Sequence, residues 1–229
     1  MSQDNIIQGF WFGTLGPMEK LSIKSYLALG YEYHLYSYDL SVDVPEGCIL
    51  KDASSVRPYS PTQHLSYMGD IIRCDLLYMY GGWWSDLDAI CVKRLDFDAE
   101  YVFAYEEHVS NIPWVNNAVM KAPVGSPLMK WAAEQCELKK NTVGNASQLG
   151  PHVTNEGVNR FNLQEFVLQP EAFYPIAWWN WKDYLNGKYK IKDFPNTYVF
   201  HLWNDMWRRS NQSKDVFTGI YEELRNYVH

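Results

Sequence analysis

Two aspartates one residue apart, Asp86 and Asp88, are the side chains of this sequence best suited to hold a metal ion. Side chains of an extended segment alternate between its two faces, so these carboxylates are expected to point to the same side. Carboxylate oxygens suit Mg²⁺ and Mn²⁺, especially where phosphate and water fill the remaining positions. The pair therefore predicts a divalent-cation site for a phosphate-bearing ligand, with a solvated acidic strand end as the alternative.

Two further features favour the metal-site interpretation. Asp70 and Arg73 are neighbours at i and i+3 on a segment with helical periodicity, which places them on its exposed face. Such a carboxylate and guanidinium can hold adjacent sugar hydroxyls, although a surface ion pair has the same spacing. His201 ends a β-prone segment, where an imidazole suits Mn²⁺ as a third protein ligand or serves a structural role.

Alternating strand and helix patterns are predicted to position these side chains. Segments 5–12 and 32–38 are rich in apolar and β-forming residues, and a helix over 17–29 with Pro17 in its first turn lies between them. This β-α-β order indicates a mostly parallel sheet with helices packed on it.

The aspartate pair is predicted to follow a long helix. This helix covers 66–80, ends at Gly81 and Gly82 through a left-handed cap, and leads directly into one central strand over 83–92. Asp75 falls within the apolar stripe of the helix, so we expect it to have a hydrogen-bonding partner. The residues of that stripe are Met68, Ile71, Ile72, Leu76 and Met79.

The remaining periodic segments predict further elements. The expected strands are 101–105, 115–121, 166–169 and 198–201, with a short strand or helix near 48–53. The expected helices are 126–137 with Ser126 as N-cap, a short helix after Gly150, and a final helix over 214–227.

Composition and charge limit the classes of function. The 229 residues, 47% apolar and 21% charged, indicate one globular domain over 1–229. A net charge of −7 argues against nucleic acid as a partner. Four widely spaced cysteines argue against a structural zinc site. The absence of a leader pattern and of a long apolar stretch predicts a soluble, cytoplasmic protein with no integral membrane segment.

One stretch carries a family resemblance. GDIIRCDLLYMYGGWWSDLDAI, at 69–90, combines D-x-x-R, an aromatic-Gly-Gly turn and D-x-D. In this combination it resembles the core motif of retaining GT-A glycosyltransferases, in the group of fungal initiating mannosyltransferases, bacterial capsular-polysaccharide transferases and large glucosylating toxins. Further similar segments follow in the family's order, namely GFWFG at 9–13, WVNNAVMKAPVGSP at 114–127, LGPHVT at 149–154 and HLWNDMW at 201–207.

The resemblance implies a fold and a set of ligands. The fold would be α/β, with a GT-A-like, Rossmann-type, mixed and mostly parallel sheet flanked by helices. Asp88 would be the principal ligand of Mn²⁺ or Mg²⁺, Asp86 would contact ribose and metal, and His201 would be the second protein ligand of the ion. Asp70 and Arg73 would bind hydroxyls of the transferred sugar.

The resemblance also implies contacts with the nucleotide. Trp11 would stack on or beside the base, and Phe12 and Gly13 would lie next to the nucleoside, with the Gly13 backbone close to the ribose. Either Trp203 or Trp207 would close over the diphosphate.

Residues 116–117 and Met206 bear on the sugar and phosphate contacts that the resemblance implies. Either Asn116 or Asn117 should face the sugar, and because alternation forbids both from pointing the same way, Asn117 is slightly favoured. Met206 replaces the small hydroxyl residue that precedes the last Trp of the closing motif in similar proteins, so a phosphate contact from that hydroxyl is not expected here.

The implied reaction is transfer of a hexose or deoxyhexose from a nucleoside diphosphate sugar to a glycan hydroxyl, with retention at the anomeric carbon and a role in polysaccharide biosynthesis. A UDP-sugar is the first expectation for the donor and a GDP-sugar the second. Glu106 and Glu107 follow a predicted strand and are interpreted as solvated rather than as a nucleophile. The alternatives are a metal-dependent sugar-nucleotide hydrolase and a carbohydrate-binding lectin, which would be mostly β.

Overall fold

Strands alternate with helices through the first half of the chain, as the β-α-β pattern predicts. The computed structural model describes residues 3–61, 65–109, 112–139 and 146–228. In these residues the strands are β1 (Ile6–Phe10), β2 (Glu32–Ser37), β3 (Ile49–Asp52), β4 (Gly82–Ser85), β5 (Ala89–Cys91), β6 (Val102–Glu106), β7 (Trp114–Ala122), β8 (Val167–Leu168) and β9 (Val199–His201). The helices are α1 (Pro17–Ala28), α2 (Leu65–Tyr80), α3 (Pro127–Lys139), α4 (Ala146–Arg160), α5 (Asn204–Arg209) and α6 (Gly219–Val228).

Seven strands form one sheet in the order β3-β2-β1-β4-β7-β6-β8, and β5 pairs with β9 in a separate two-stranded sheet. The β1–β2, β2–β3, β1–β4 and β6–β8 pairs are parallel, whereas β7 is antiparallel to both of its neighbours. The predicted α/β fold with a mixed, mostly parallel sheet is therefore confirmed. Because β1, β4 and β6 run in one direction, their carboxyl ends lie at the same edge of the sheet.

Apolar side chains pack on both faces of the large sheet. Trp83 and Trp84, neighbours on β4, point to opposite faces, as strand geometry requires. Trp83 belongs to the cluster that holds α1 and α6, with Tyr26 and Tyr221, and Trp84 belongs to the cluster beneath α2, α3 and α4, with Ile71. Within the described residues, no helix has both the length and the apolar character that a membrane crossing requires.

Helix α2 is covered on more sides than its periodicity predicts. Four members of the predicted stripe are fully buried, but Met79 is 41% exposed, and Leu77 from the opposite side is 0% exposed. The reason is that α2 contacts β1 and β4 as well as α3 and α4. Asp70 and Arg73 are consequently 7% and 6% exposed, so the expectation that this pair lies on an exposed helix face is wrong.

Asp75 has the partner that its position predicts. Its Oδ2 atom accepts a hydrogen bond of 2.9 Å from Nε of Arg57, and Nη1 of the same arginine lies 3.2 Å from Oε2 of Glu137 on α3. Burial raises the pKa of Asp75, and Arg57 opposes this shift. The group joins α2 to α3 and to the segment before α2, which is a structural role.

The predicted strand over 83–92 is in fact two strands. β4 ends at Ser85, and β5 pairs with β9 instead of continuing the large sheet. Between them lies a turn in which the Ala89 N–H donates to the Asp86 carbonyl at 3.2 Å. The two carboxylates come together as predicted, but through this turn and not through the alternation of side chains along one strand.

Two helices also differ from their predicted extents. The short helix expected in the region of the Gly-Pro pair is the 15-residue α4, which continues through Pro151. The missing N–H of that proline removes one bond close to the start of the helix. The final helix begins at Gly219, which has a φ of +58°, rather than at residue 214. Lys214 lies ahead of it and forms an ion pair with Glu19 of α1.

Candidate active site

A cleft of about 650 Å³ opens at the edge where β1, β4 and β6 end. Side chains from α2, from the start of β7, from α4 and from the segment after β9 also line it. Ligand sites form readily at this edge of an open α/β sheet, because the segments that follow the strands carry side chains into one place. The predicted site residues that line the cleft are Trp11, Phe12, Asp70, Arg73, Asp86, Asp88, Asn116, Asn117, His201 and Trp203.

Three potential metal ligands converge in the cleft. The turn after β4 carries Asp86 and Asp88, and the end of β9 carries His201. One ligand atom from each of the three side chains lies within 4.8 Å of the others. Nε2 of His201 is 3.2 Å from Oδ1 of Asp88. The group therefore offers two carboxylates and one imidazole to a single point.

The chain after β9 wraps around Asp88. The Leu202 N–H donates to the Asp88 carbonyl and the Asn204 N–H donates to Oδ2 of its carboxylate, both at 2.8 Å. Between these two residues, Trp203 adopts the left-handed conformation with φ of +59°, which is uncommon for a residue with a side chain. This turn directs the backbone N–H groups on both sides of Trp203 to the aspartate, and the Asn204 N–H fixes its carboxylate.

Burial and neighbouring charge set the pKa values of the three groups. Burial raises the pKa of Asp86, and Arg73 opposes that shift only in part. Burial acts against ionisation of Asp88 as well, but the His201 charge and the Asn204 N–H outweigh it, so the pKa of Asp88 is lowered. Burial would lower the pKa of His201, yet the Asp88 carboxylate raises it above the usual value.

The donor set fits a divalent cation. Two carboxylates and an imidazole match the oxygen and nitrogen ligands that Mn²⁺ takes, and Mg²⁺ accepts the carboxylates. In the structure, Asp86 faces the positive Arg73 guanidinium, and Asp88 faces the His201 imidazole, whose protonated form this carboxylate favours. A cation at this point would supply that positive charge to both carboxylates.

Arg73 links the aspartate turn to helix α2. Its Nη1 lies 2.9 Å from Oδ1 of Asp70, and its Nη2 lies 2.7 Å from Oδ1 of Asp86. The Trp84 indole N–H also donates to Oδ1 of Asp86 at 2.7 Å, and the Arg73 guanidinium lies 5.0 Å from the Trp84 ring centroid. Although Asp70 and Arg73 are i,i+3 neighbours, they are part of a buried network and not a surface ion pair.

Asp70 is the acceptor at the centre of this network. Besides Arg73, the Asn117 amide donates to its Oδ1 at 3.2 Å, and the Gly150 N–H donates to its carboxylate. Burial nevertheless raises the pKa of Asp70 to about 6, with Arg73 acting in the opposite direction. Gly150 was not singled out from the sequence as a site residue, and its position in the Gly-Pro segment of the family resemblance was the available signal.

Both asparagines of β7 line the cleft. The register between β6 and β7 shifts between Val102 and Ala104, where one residue of β6 lies opposite four residues of β7. Such a bulge changes the direction of the side chains next to it. Asn117 reaches Asp70, while the Asn116 amide donates to Oε2 of Glu106 at 2.8 Å. The expectation that alternation allows one of the two asparagines to face the cleft is therefore wrong.

The residues predicted to contact the nucleoside lie in or beside the cleft. Trp11 lines the cleft, and its indole N–H donates to the Thr14 carbonyl at 3.2 Å. Phe12 is 40% exposed and stacks on Tyr59 with 5.7 Å between ring centroids. Gly13 has a φ of +95° and lies just beyond the residues that line the cleft.

The two candidate tryptophans after β9 differ in position. Trp203 lines the cleft, with its ring centroid 4.2 Å from that of His201 and its indole N–H donating to the Ile176 carbonyl at 2.7 Å. Trp207 is 0% exposed and packs against Trp181 in the core. Trp207 is therefore not available to a ligand in the cleft, and Trp203 is.

Some cleft residues were not expected from the sequence. Glu106, which was interpreted as solvated, lies in the cleft wall, where burial raises its pKa and Asn116 opposes the shift. Glu107 is exposed and outside this cleft. Further lining residues are His108, Trp114, His152, Trp178, Asn204 and Arg209. These belong to different elements, so their spacing along the chain carries no signal of their proximity.

Comparison with known proteins agrees with this architecture. Residues 150–226 match the family model described as the alpha 1,4-glycosyltransferase conserved region. A solved structure, the PaToxG glycosyltransferase, superimposes with a TM-score of 0.52 and 17% sequence identity, covering 69% of each chain. No curated protein sequence matches the chain. The fold is therefore like that of a glycosyltransferase, and the matched region supports glycosyl transfer as the general activity.

Proposed function

We propose that the chain is a metal-dependent, retaining glycosyltransferase that moves a hexose or deoxyhexose from a nucleoside diphosphate sugar to a hydroxyl of a glycan. The observation that carries this proposal is the convergence of Asp86, Asp88 and His201 in one cleft with the buried Asp70–Arg73 pair. The first group suits a cation with its diphosphate, and the second suits the hydroxyls of a sugar.

The metal site would serve the leaving group. Mn²⁺ or Mg²⁺ held by Asp86, Asp88 and His201 would neutralise charge that develops on the departing diphosphate. Trp203 lies against His201 and covers this side of the cleft, which helps to exclude water. Met206 also lines the cleft, but its thioether offers no hydroxyl to a phosphate.

The sugar side would be fixed before the reaction. Asp70 and Arg73 hold each other, and Asn117 and the Gly150 N–H hold Asp70, so a sugar would meet groups that are already oriented.

Retention is supported by two considerations. The family model that matches 150–226 is described for alpha 1,4 transfer, and we propose an α-linked donor, from which an α product means retention. The most buried carboxylate of the sugar side, Asp70, is engaged by three donors, which occupy its oxygen lone pairs and make it a poor nucleophile. We therefore propose same-face attack, in which the departing phosphate oxygen takes the proton of the acceptor hydroxyl.

For the nucleoside we propose uridine first and guanosine second. Trp11 lies at the end of β1 with its indole N–H turned to the Thr14 carbonyl, and the Phe12–Tyr59 stack extends the aromatic surface next to it. Flat rings of this kind suit base stacking.

The fold contradicts the lectin alternative, whereas the hydrolase alternative requires a test of activity. A lectin was expected to be mostly β, which the α/β fold contradicts. A sugar-nucleotide hydrolase would use the same metal site and sugar contacts, so the distinction depends on the acceptor. If the chain is a transferase, adding a glycan acceptor accelerates release of sugar from a labelled donor, whereas a hydrolase shows no acceleration.

The proposal is tested by a thermal-shift panel of nucleoside diphosphates and nucleotide sugars, with and without Mn²⁺. A ligand that binds the folded state raises its melting temperature by mass action. We expect a UDP-sugar with Mn²⁺ to give the largest rise. If no nucleotide changes the melting temperature in the presence of the metal, the proposal is wrong.

A further inference from the structure

Four cleft residues have no part in the proposed donor site. Glu106 at the end of β6 and Trp114 at the start of β7 line the cleft together with His108 and His152. His108 stacks on Trp114 with 5.0 Å between ring centroids and an interplanar angle of 16°, and His152 meets Trp114 at 4.4 Å and 80°. We call His108, Trp114 and His152 the aromatic wall.

The aromatic wall lies across the cleft from the proposed nucleoside contacts. β1, which leads to Trp11 and Phe12, is separated from β6 by β4 and β7. Since neighbouring strands are about 4.8 Å apart, the three intervals place the ends of β1 and β6 about 14 Å from each other. The turn with Asp86 and Asp88 follows β4 and so lies between them.

The donor side and the far side of the cleft meet at Asn116 and Asn117. Asn117 donates to Asp70 at 3.2 Å, and Asn116 donates to Glu106 at 2.8 Å. The Asn116 side chain is itself fixed, because its Oδ1 accepts the Ala118 N–H at 2.7 Å. A group bound at Glu106 would therefore lie next to a sugar bound at Asp70, which is the position that an acceptor must occupy.

We propose that Glu106 and the aromatic wall form the acceptor subsite, and that this subsite takes a hexopyranose of a carbohydrate chain. The inference rests on the glycosyl transfer proposed above. A pyranose ring presents C–H groups that pack on aromatic rings, as the aromatic wall requires, and hydroxyls that need an acceptor such as the Glu106 carboxylate.

In the proposed placement, each bond that forms or breaks in the transfer step and the proton of the acceptor are accounted for. The acceptor oxygen forms the new bond to the anomeric carbon, and the bond from that carbon to the diphosphate breaks, with its electron pair leaving on the diphosphate. The proton of the acceptor hydroxyl passes to the departing phosphate oxygen. Glu106 holds a hydroxyl of the acceptor sugar and thereby orients the reacting one, so it is a binding and positioning residue.

The test uses the full chain with Mn²⁺, the nucleotide sugar that raises its melting temperature most, and a panel of α- and β-methyl hexopyranosides as acceptors. For the pyranoside that accepts sugar best, Trp114→Ala is expected to raise the acceptor KM about tenfold while the melting-temperature rise caused by the donor is retained. Glu106→Gln is expected to lower kcat/KM for the acceptor about tenfold.

The test includes a control variant, Trp179→Ala, and a conservative substitution, Glu106→Gln. Trp179→Ala removes a tryptophan that is 39% exposed and outside the cleft, and it should leave the acceptor KM unchanged. Glu106→Gln keeps the size of the side chain and an oxygen for Asn116, so it carries the test if Trp114→Ala does not fold.

Each outcome bears on a defined proposal. If no nucleotide sugar raises the melting temperature, the proposed function fails, and the acceptor subsite fails with it. If a donor binds but no methyl hexopyranoside accepts sugar, or if Trp114→Ala and Glu106→Gln both behave like Trp179→Ala, the carbohydrate subsite is overturned while donor binding stands. Transfer to a protein hydroxyl in place of every pyranoside would likewise overturn it.

Discussion

Gly150 lies so close to Asp70 that no side chain fits between them. A Cβ atom at position 150 would be 2.1 Å from Oδ1 of Asp70 and 2.0 Å from Nδ2 of Asn117. The same glycine donates its backbone N–H to the Asp70 carboxylate. Helix α4 thus contributes main chain to the proposed sugar site, and it does so where the matched family region begins.

Gly150→Ala is expected to reduce kcat/KM roughly 100-fold, because displacement of Asp70 by about an ångström misplaces the sugar. Steady-state kinetics with the best donor and acceptor measure this. Gly69→Ala shows how a glycine-to-alanine change without a steric clash affects stability, because a Cβ atom at this position of α2 would have its nearest neighbour at 3.9 Å. That variant should gain up to about 1 kcal/mol in helix stability. Wild-type kinetics for Gly150→Ala would show that Asp70 does not need the close contact.

Asp88→Asn tests the metal site without changing the size of the side chain. It removes the charge that faces His201, so the Mn²⁺-dependent part of the melting-temperature rise caused by a nucleoside diphosphate should disappear. The metal-independent part should persist. Asp98→Asn, at an exposed aspartate outside the cleft, is the matched control and should keep both parts. Persistence of the full Mn²⁺ effect in Asp88→Asn would exclude Asp88 as a ligand.

Asp70→Asn is expected to stabilise the ligand-free protein at alkaline pH and to abolish transfer. Burial raises the pKa of Asp70 from 3.8 to about 6 in the folded state. The neutral carboxyl therefore contributes its full stabilisation of the folded state below the pKa that Asp70 has in the unfolded chain. This contribution is lost as pH rises through about 6, where ionisation of Asp70 lowers the free energy of unfolding by up to about 3 kcal/mol. Asparagine avoids this cost.

Urea unfolding at two pH values measures the effect. The free energy of unfolding of Asp70→Asn should exceed that of the wild type by about 1–3 kcal/mol at about pH 8, and by less at about pH 5. The same difference at both pH values would contradict a raised pKa of Asp70.

Substitutions of Trp203 and Trp207 should affect different properties, ligand binding for Trp203 and stability for Trp207. Trp207 is fully buried, so Trp207→Ala is expected to cost about 3–5 kcal/mol of stability. Trp203→Ala should instead weaken the melting-temperature rise caused by a nucleoside diphosphate with Mn²⁺, because this ring lines the cleft beside His201. Trp207→Phe, which keeps an aromatic ring in the core, should retain that rise. An unchanged rise in Trp203→Ala would place the diphosphate elsewhere.

The sequence was sufficient to predict the α/β class because strand and helix periodicities are local properties. It was not sufficient for the burial of Asp70 and Arg73, since the pattern of one helix does not reveal that α3 and α4 cover its second side. The turn at Asp86 was also missed, because β5 leaves the large sheet to pair with β9, far along the chain.

For the candidate site too, the sequence was sufficient for some residues and not for others. Asp86, Asp88 and His201 were selected from the sequence by residue type and by family resemblance, and the structure brings their ligand atoms within 4.8 Å of one another. Their roles stay predictions. Glu106 and Trp114 could not be selected in that way, because their relation to the donor site depends on the order of strands in the sheet.

The bulge in β7 has a consequence for how substrate preference can change. Asn116 and Asn117 are consecutive residues, yet one holds Glu106 and the other holds Asp70. Restoring regular pairing would require removal of the three extra residues of β7, and because three is an odd number, one of these amides would turn away from the cleft. A change in this short segment therefore alters both substrates together, so variants with a new acceptor at this position are expected to show an altered donor preference as well.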